Sequence, residues 1–388
     1  MKQGKSYPEL LMAIKDDKFN KKDFVGDTRK FAVAEAPESP VNLAMIIGGM
    51  PKMFDEVAAE NAGNLPATNI SRLAMNQICS KLNIPFKYAE RLFGKYPDIL
   101  AHDINALFSR EPKKIMVRTL GDTVRAVLSN RYRIIDNFDV AAAIMPIITG
   151  LLGDTWQNCV RSCDVTENKM YIKIVHPSLR AEIPPPAGAV MGQGHTIFTD
   201  MVQAAIVLTN SEVGLGSLSI SPSVYTQRCT NLAVFKGDKY TKYHVGREHT
   251  VHEDISDVIS DETRSLEDAA TISKVRDVAR AALDGTTFQK QVAKLTEARS
   301  DKIEQSPVDA VERLADSKGL NQDEADEILK NLIEGADLSR YGLHAAVTRT
   351  AESIENYDRS SELEHLGGEI IELPKADWRV ISEKRKAA

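Results

Sequence analysis

Cysteine is scarce in this chain: 4 in 388 residues, at Cys79, Cys159, Cys163 and Cys229. That number and scatter exclude a disulfide scaffold, and unbridged structural thiols fit a reducing compartment. Cys159 and Cys163 have no second pair, and His244, His249 and His252 do not complete a zinc-finger spacing. Long apolar runs are missing too. The longest, 140–152, is broken by Pro146 and Gly150, well short of the roughly 18–20 residues of a membrane-spanning helix. The first residues carry lysines in place of an export signal's apolar core, so a cytoplasmic location in a bacterial host and no membrane partner are expected.

Chemistry-bearing motifs are equally sparse. Gly192-Gln193-Gly194 and Gly214-Leu215-Gly216 lack the Gly-Lys-Ser/Thr ending of a phosphate loop and read as turn or bulge glycines, so an ATPase is disfavoured and no cofactor is expected. No elbow sequence surrounds Ser211 to pair it with His195 or His244 as nucleophile and base. The carboxylates Asp122, Asp136, Asp200 and Glu212 have no spacing that fixes a two-metal site, and turn, cap or loop positions explain Asp122, Asp136 and Glu212. A catalytic set is therefore not expected.

What is present is a segregated charge. The chain has a net charge of −6, yet residues 101–250 carry 16 Lys+Arg against 13 Asp+Glu, whereas 251–388 carry 19 against 30. A cationic middle and an anionic tail suit a polyanion-binding surface with a separate region for a protein partner.

Periodicity divides the chain into a mainly helical region (1–110), a basic α+β core (111–250) and an acidic, mainly helical region (251–388). In the first, apolar residues recur at helical spacing over 7–15, and 43–59 reads as helical around a Gly-Gly-Met-Pro break. Thr68 or Asn69 caps a helix to residue 82, Pro85 opens another to 93, and Pro97 a third to 108. The first two have helix-turn-helix length, which places Lys87, Tyr88 and Arg91 on the second; a helical subdomain packed on a sheet is favoured over DNA reading there, because the turn lacks the usual glycine.

From residue 113 the period shortens to that of strands. Segments 113–120 and 123–129 flank Gly121-Asp122 as a hairpin, with 131–135 extending the second arm. A helix follows over 139–152, then strands at 158–165 and 169–175 across the turn Thr166-Glu167-Asn168. A Pro/Gly-rich connector (184–194) leads to strand through 208, a loop at 210–216, a strand at 217–220 and a further hairpin of 225–235 with 239–245. The fold class is α+β: a central, mostly antiparallel sheet with packed helices, flanked by an N-terminal helical unit and a C-terminal helical region. That C-terminal region reads as helices over 262–282, 288–303, 308–316, 322–334 and 343–355, a last strand at 367–371 and a basic tail at Lys384-Arg385-Lys386.

Alternation along a strand says which side chains share a face. Lys169, Tyr171 and Lys173 form one stripe, where lysines can neutralise phosphates and a ring can stack on a base. The same logic groups Lys114 with Arg118, and Arg131 with Arg133. With Lys113, Arg125, Arg228, Lys242, His244 and Arg247 these make up the candidate nucleic-acid-binding set. The bland alternative is a solvated sheet kept soluble by its lysines and arginines.

Several strings carry a resemblance: Asn83-Ile84-Pro85 with Lys87-Tyr88, VRTLGDTVRAVLSNRYRIIDN (117–137), VTENKMYIKIVHP (165–177), TNSEVGLGSLSISP (209–222), RCTNLAV (228–234), HVGR (244–247) and RYGLHAAVTRTAE (340–352). From about residue 40 onward the chain resembles the phage/plasmid-like proteins grouped as domain of unknown function 932. The RCTNLAV block departs from the expected pattern, with Leu232 and Ala233 where a glycine-containing pair is expected. The resemblance implies a mobile-element protein and supplies no catalytic residue. The hairpin–helix–strands order is also similar, in architecture only, to phage single-strand annealing proteins. The expectation is a non-enzymatic, homo-oligomeric, single-stranded DNA-binding and strand-annealing protein acting in recombination or replication, with a protein partner on its acidic helices. A structural or host-interaction phage protein is the first alternative, and a metal-dependent nuclease the second.

Overall fold

The computed structural model describes residues 1–48, 67–130, 132, 135–153, 156–185, 199–227, 231–235 and 261–383. The predicted 239–245 arm, the basic tail, most of the 184–194 connector, Cys229, His195, His244, His249 and His252 lie outside the described residues. The fold is α+β, with two antiparallel-rich sheets.

The first sheet has six strands in the order β1-β5-β6-β4-β3-β2: β1 (Lys21–Asp27), β2 (Phe31–Glu35), β3 (Leu43–Ile47), β4 (Ala67–Ile70), β5 (Lys114–Leu120) and β6 (Thr123–Ser129). All pairs are antiparallel except β4 with β6. Four strands thus lie within the region 1–110 beside its helices, and the helix expected from residue 43 is instead β3 where it is described. β1 (Lys-Lys-Asp-Phe-Val-Gly-Asp) has too little apolar alternation to be recognised, and β3 is a short continuous apolar run that periodicity alone does not distinguish from buried helix. The expected helices do form, as α2 (Arg72–Lys81), α3 (Phe86–Lys95) and α4 (Pro97–Arg110), but the cap of α2 is Ser71, whose side chain accepts from the Ala74 N–H, while Thr68 and Asn69 lie in β4. Their Met75, Ile78, Leu92, Leu100 and Ile104 pack on Val33, Met45, Ile115 and Val117 of one sheet face. Outer strand β2 is closed by α4: the Asn105 amide donates to the Val33 carbonyl and accepts from the Val33 N–H, both at 2.8 Å.

The second sheet is fully antiparallel, in the order β11-β10-β9-β8-β7: β7 (Val160–Val165), β8 (Met170–Ile183), β9 (Asp200–Asn210), β10 (Ser219–Thr226) and β11 (Asn231–Val234). Helices α1 (Tyr7–Asn20), α5 (Asn137–Leu152) and α7 (Asp261–Ala282) cover one face, burying Leu10, Ile14, Ile144, Ile148 and Val278 against Ile172, Ile174, Ile206 and Leu208. A short helix α6 (Trp156–Cys159) precedes β7.

The C-terminal region contributes α8 (Gly285–Ser300), α9 (Pro307–Lys318), α10 (Gln322–Gly335), α11 (Arg340–Ser353), α12 (Tyr357–Glu372) and α13 (Lys375–Ser382). It has its own core around Val311, Leu314, Ile328, Val347 and Trp378, while α12 lies along the second sheet. The predicted strand at 367–371 is therefore part of α12. Its glycines serve close approach, since a Cβ on Gly368 would run into the β11 backbone at Val234 and one on Gly367 into Thr348. No helix among the described residues is long and apolar enough to cross a membrane.

Candidate nucleic-acid interface

The described members of the predicted basic set do not share one open face. Tyr171 and Lys173 are buried, Lys173 completely, because α12 covers the face they share. The Lys173 ammonium lies 2.7 Å from Glu364, itself fully buried, and 4.5 Å from the centre of the Tyr357 ring. The Tyr171 hydroxyl donates to Asp358 at 2.8 Å; burial, reinforced by that carboxylate, pushes its pKa well above the usual phenol range. The Lys-Tyr-Lys stripe is thus an internal polar seam, and only Lys169, half-buried, retains solvent contact. Lys113 donates to the Lys81 carbonyl at 2.5 Å, and Lys114 is exposed at the start of β5. Arg131, Arg133, Arg228, Lys242, His244 and Arg247 lie outside the described residues.

Arg118 and Arg125 belong to a second internal site, the junction of the two sheets. Arg118, on β5, holds Asp23 through two 2.8 Å hydrogen bonds and lies 3.5 Å from Asp136 and 3.7 Å from Glu212. Arg125 reaches the same place through a register shift. Ala126 pairs with Arg118 and Val124 with Thr119, so Arg125 is the extra residue of a β-bulge. A bulge re-aims a side chain that strict alternation would send to the opposite face, and Arg125 comes within 3.6 Å of Glu212.

Glu212 is the hub. It is almost wholly buried, and its Oε1 accepts from Lys21 at 2.7 Å and from the Asn137 backbone N–H, at the start of α5, at 2.6 Å. Neighbouring residues of its loop complete the joint. Asn210 donates to Ile135 O and Asn137 Oδ1, both at 2.8 Å, while Val213 packs on Met116, Ala126 and Leu128. Gly214, at φ +80°, passes close to Leu128. Burial raises the nearby Asp17 carboxyl pKa against the opposing pull of Arg125 and Lys21. The structure thus brings together two of the carboxylates considered for metal binding, Asp136 and Glu212. Three cations already neutralise them, which makes the place a charge-compensated joint. No group of three or more His, Cys, Asp or Glu residues among the described residues is arranged to hold a metal ion. Cys79, Cys159 and Cys163 are buried, the Cys163 pKa pushed up to about 12 chiefly by burial.

An open cationic surface exists elsewhere, on α3. Ala89, Leu92 and Phe93 turn inward to the first-sheet core. That leaves Lys87, Tyr88, Arg91 and Lys95 outward, all exposed, with Tyr88 at 50% and Tyr96, just past the helix, at 49%. Lys87, Arg91 and Lys95 recur every four residues, about 6 Å apart along the axis, and no ion pair engages them among the described residues. The one carboxylate of the helix, Glu90, is taken by Arg72, which also lies over the Phe86 ring at 5.4 Å. Gly94 sits on this face with nothing within 4 Å of where its Cβ would be. The α2–α3 turn, expected to need glycine, is made by Asn83 at φ +56°, one of the few side chains at ease there. Lys87, Tyr88 and Arg91 were legible as outward residues of this helix; Gly94, Lys95 and Tyr96 were not, because helix ends are poorly marked in sequence.

Two sheets joined by buried charge, with a helix pair presenting cations and rings at one side, define an α+β protein whose described polar clusters are mainly structural. The chain matches no family model, no curated protein and no solved structure.

Proposed function

We propose that the protein is a non-enzymatic, single-stranded DNA-binding protein of a phage or plasmid, acting in recombination or replication, whose strand path crosses the outward face of α3. The observation that carries this is Lys87, Arg91 and Lys95 in a row beside two half-exposed tyrosines, without competing carboxylate partners among the described residues. Regularly spaced cations attract a phosphate backbone, and exposed rings stack on unpaired bases whatever the sequence. Gly94 supports the same reading. A helix-interior glycine costs about 1 kcal/mol relative to alanine, and nothing in the surrounding packing requires it, so it is suited to close approach by a ligand backbone. The mobile-element setting comes from the sequence strings alone.

The test is a salt-titrated binding measurement with an unstructured oligonucleotide, its duplex and the equivalent RNA. Replacing Lys87, Arg91 and Lys95 together by alanine is expected to flatten the dependence of log affinity on log salt by about 2, given roughly 0.7 per single-strand phosphate contact. Tyr88→Ala is expected to lose about 1–3 kcal/mol of binding with the salt slope unchanged. Absence of low-salt binding by the parent protein, or a triple variant that binds like the parent, refutes the assignment.

A further inference from the structure

We infer that Arg72 is a base-stacking residue of the α3 surface, its guanidinium forming a platform for an unpaired base on the flank opposite Tyr88. The inference rests on the single-strand reading above and names a residue that recognises bases there, as distinct from phosphates. Ala89, Leu92 and Phe93 mark the buried side of α3. At about 100° per residue, Lys87 and Gly94 then lie at the centre of the outward face, Tyr88 falls about 100° to one side, and Glu90 and Phe86 fall about 60° and 100° to the other. The cations run between two flanks. Tyr88 supplies a ring on one, and on the other the place is taken by Arg72, reaching across from the first turn of α2.

Its surroundings hold this guanidinium in place from below and from one edge. The central carbon lies over the Phe86 ring, 5.4 Å from its centre. That ring is anchored in turn, half-buried against the first-sheet core and 6.3 Å from the ring of Phe93. At the edge, an Arg72 N–H donates to the Glu90 carboxylate. The backbone is fixed at the head of α2, where Ser71 caps the helix and its N–H donates to Val124 O of β6 at 3.1 Å. With one face on Phe86 and one edge on Glu90, the side chain is still 65% exposed, so the second face of the guanidinium is open. Charge does not explain the arrangement, because Glu90 offsets it and leaves phosphate attraction to Lys87, Arg91 and Lys95. Stability explains little of it, since exposed ion pairs contribute little. What remains is a planar, weakly hydrated group held ready, and unpaired bases stack on arginine planes as they do on aromatic rings. A base inside a duplex already has a neighbour on each face, so the platform favours a single strand.

The test measures binding of the full chain, as parent and as Arg72→Lys, to two single strands of equal length at low salt, one with ordinary bases and one abasic throughout. Lysine keeps the charge and can still pair with Glu90, but it has no plane. Arg72→Lys is expected to bind the base-carrying strand about tenfold more weakly, within the range of one stacked base. The slope of log affinity against log salt is expected to stay at the parent's value, and the abasic strand to bind both proteins alike. Equal affinity of the two proteins for the base-carrying strand overturns the inference. An equal loss on both strands, or a changed salt slope, also overturns it by marking a role in charge or folding. In each of these cases the parent still binds, and the single-strand reading stands. A parent protein that binds neither strand removes that reading and this inference together.

Discussion

Lys173 shows how far a residue's role depends on what its strand faces. Alternation places it beside Tyr171, and the structure agrees, but alternation is silent on what lies above. Here α12 lies above, and the cation becomes half of a buried pair with Glu364. His344 in α11 is a second such residue. Its Nδ1–H donates to the Gly367 carbonyl at 2.9 Å, and burial holds the imidazole pKa down at about 4 from an ordinary 6.5. The unfolded chain takes up a proton below pH 6.5 that the folded chain refuses until about 4. Stability is therefore complete above pH 6.5 and falls as the pH drops toward 4, by up to about 3 kcal/mol. Urea unfolding across that range is expected to show this dependence in the parent and its loss in His344→Gln.

Elements divide by whether their pattern was self-contained. Helices α2 to α4, and the β5–β6 hairpin around Gly121, were legible because prolines and periodicity agree locally, although the cap of α2 falls at Ser71 and not at Thr68 or Asn69. The glycine pair in α12 was misleading: Gly367-Gly368 before an apolar pair resembles a strand end, and only the neighbouring Thr348 and Val234 explain it. Glycine in a helix thus has two opposite meanings here. Gly368→Ala is expected to destabilise the protein by at least about 1–3 kcal/mol, as overpacking against backbone does. Gly94→Ala, facing open space, is expected to stabilise it by about 1 kcal/mol while weakening oligonucleotide binding. Thermal melts of the two variants should move in opposite directions.

Across the whole molecule, the α+β class and the acidic helical tail were readable from charge and period, whereas the joint between the sheets was not. Its members, Lys21, Asp23, Arg118, Arg125, Asp136 and Glu212, come from distant parts of the sequence, and one arrives through a bulge that interrupts alternation. Removing the hub leaves Lys21, Arg118 and Arg125 without their common counter-charge. Glu212→Ala is expected to cost about 3–5 kcal/mol and to split urea unfolding into two transitions, one per sheet, seen as non-coincidence of circular dichroism and fluorescence.

The Asn105 side chain, seated on the backbone of Val33, sets a limit on growth. With its middle residue occupied in this way, the β2 margin of the six-stranded sheet gives an incoming strand no unbroken ladder to extend. A fibre grown by adding strands to this sheet would need both margins bare, so growth of that kind ends at β2.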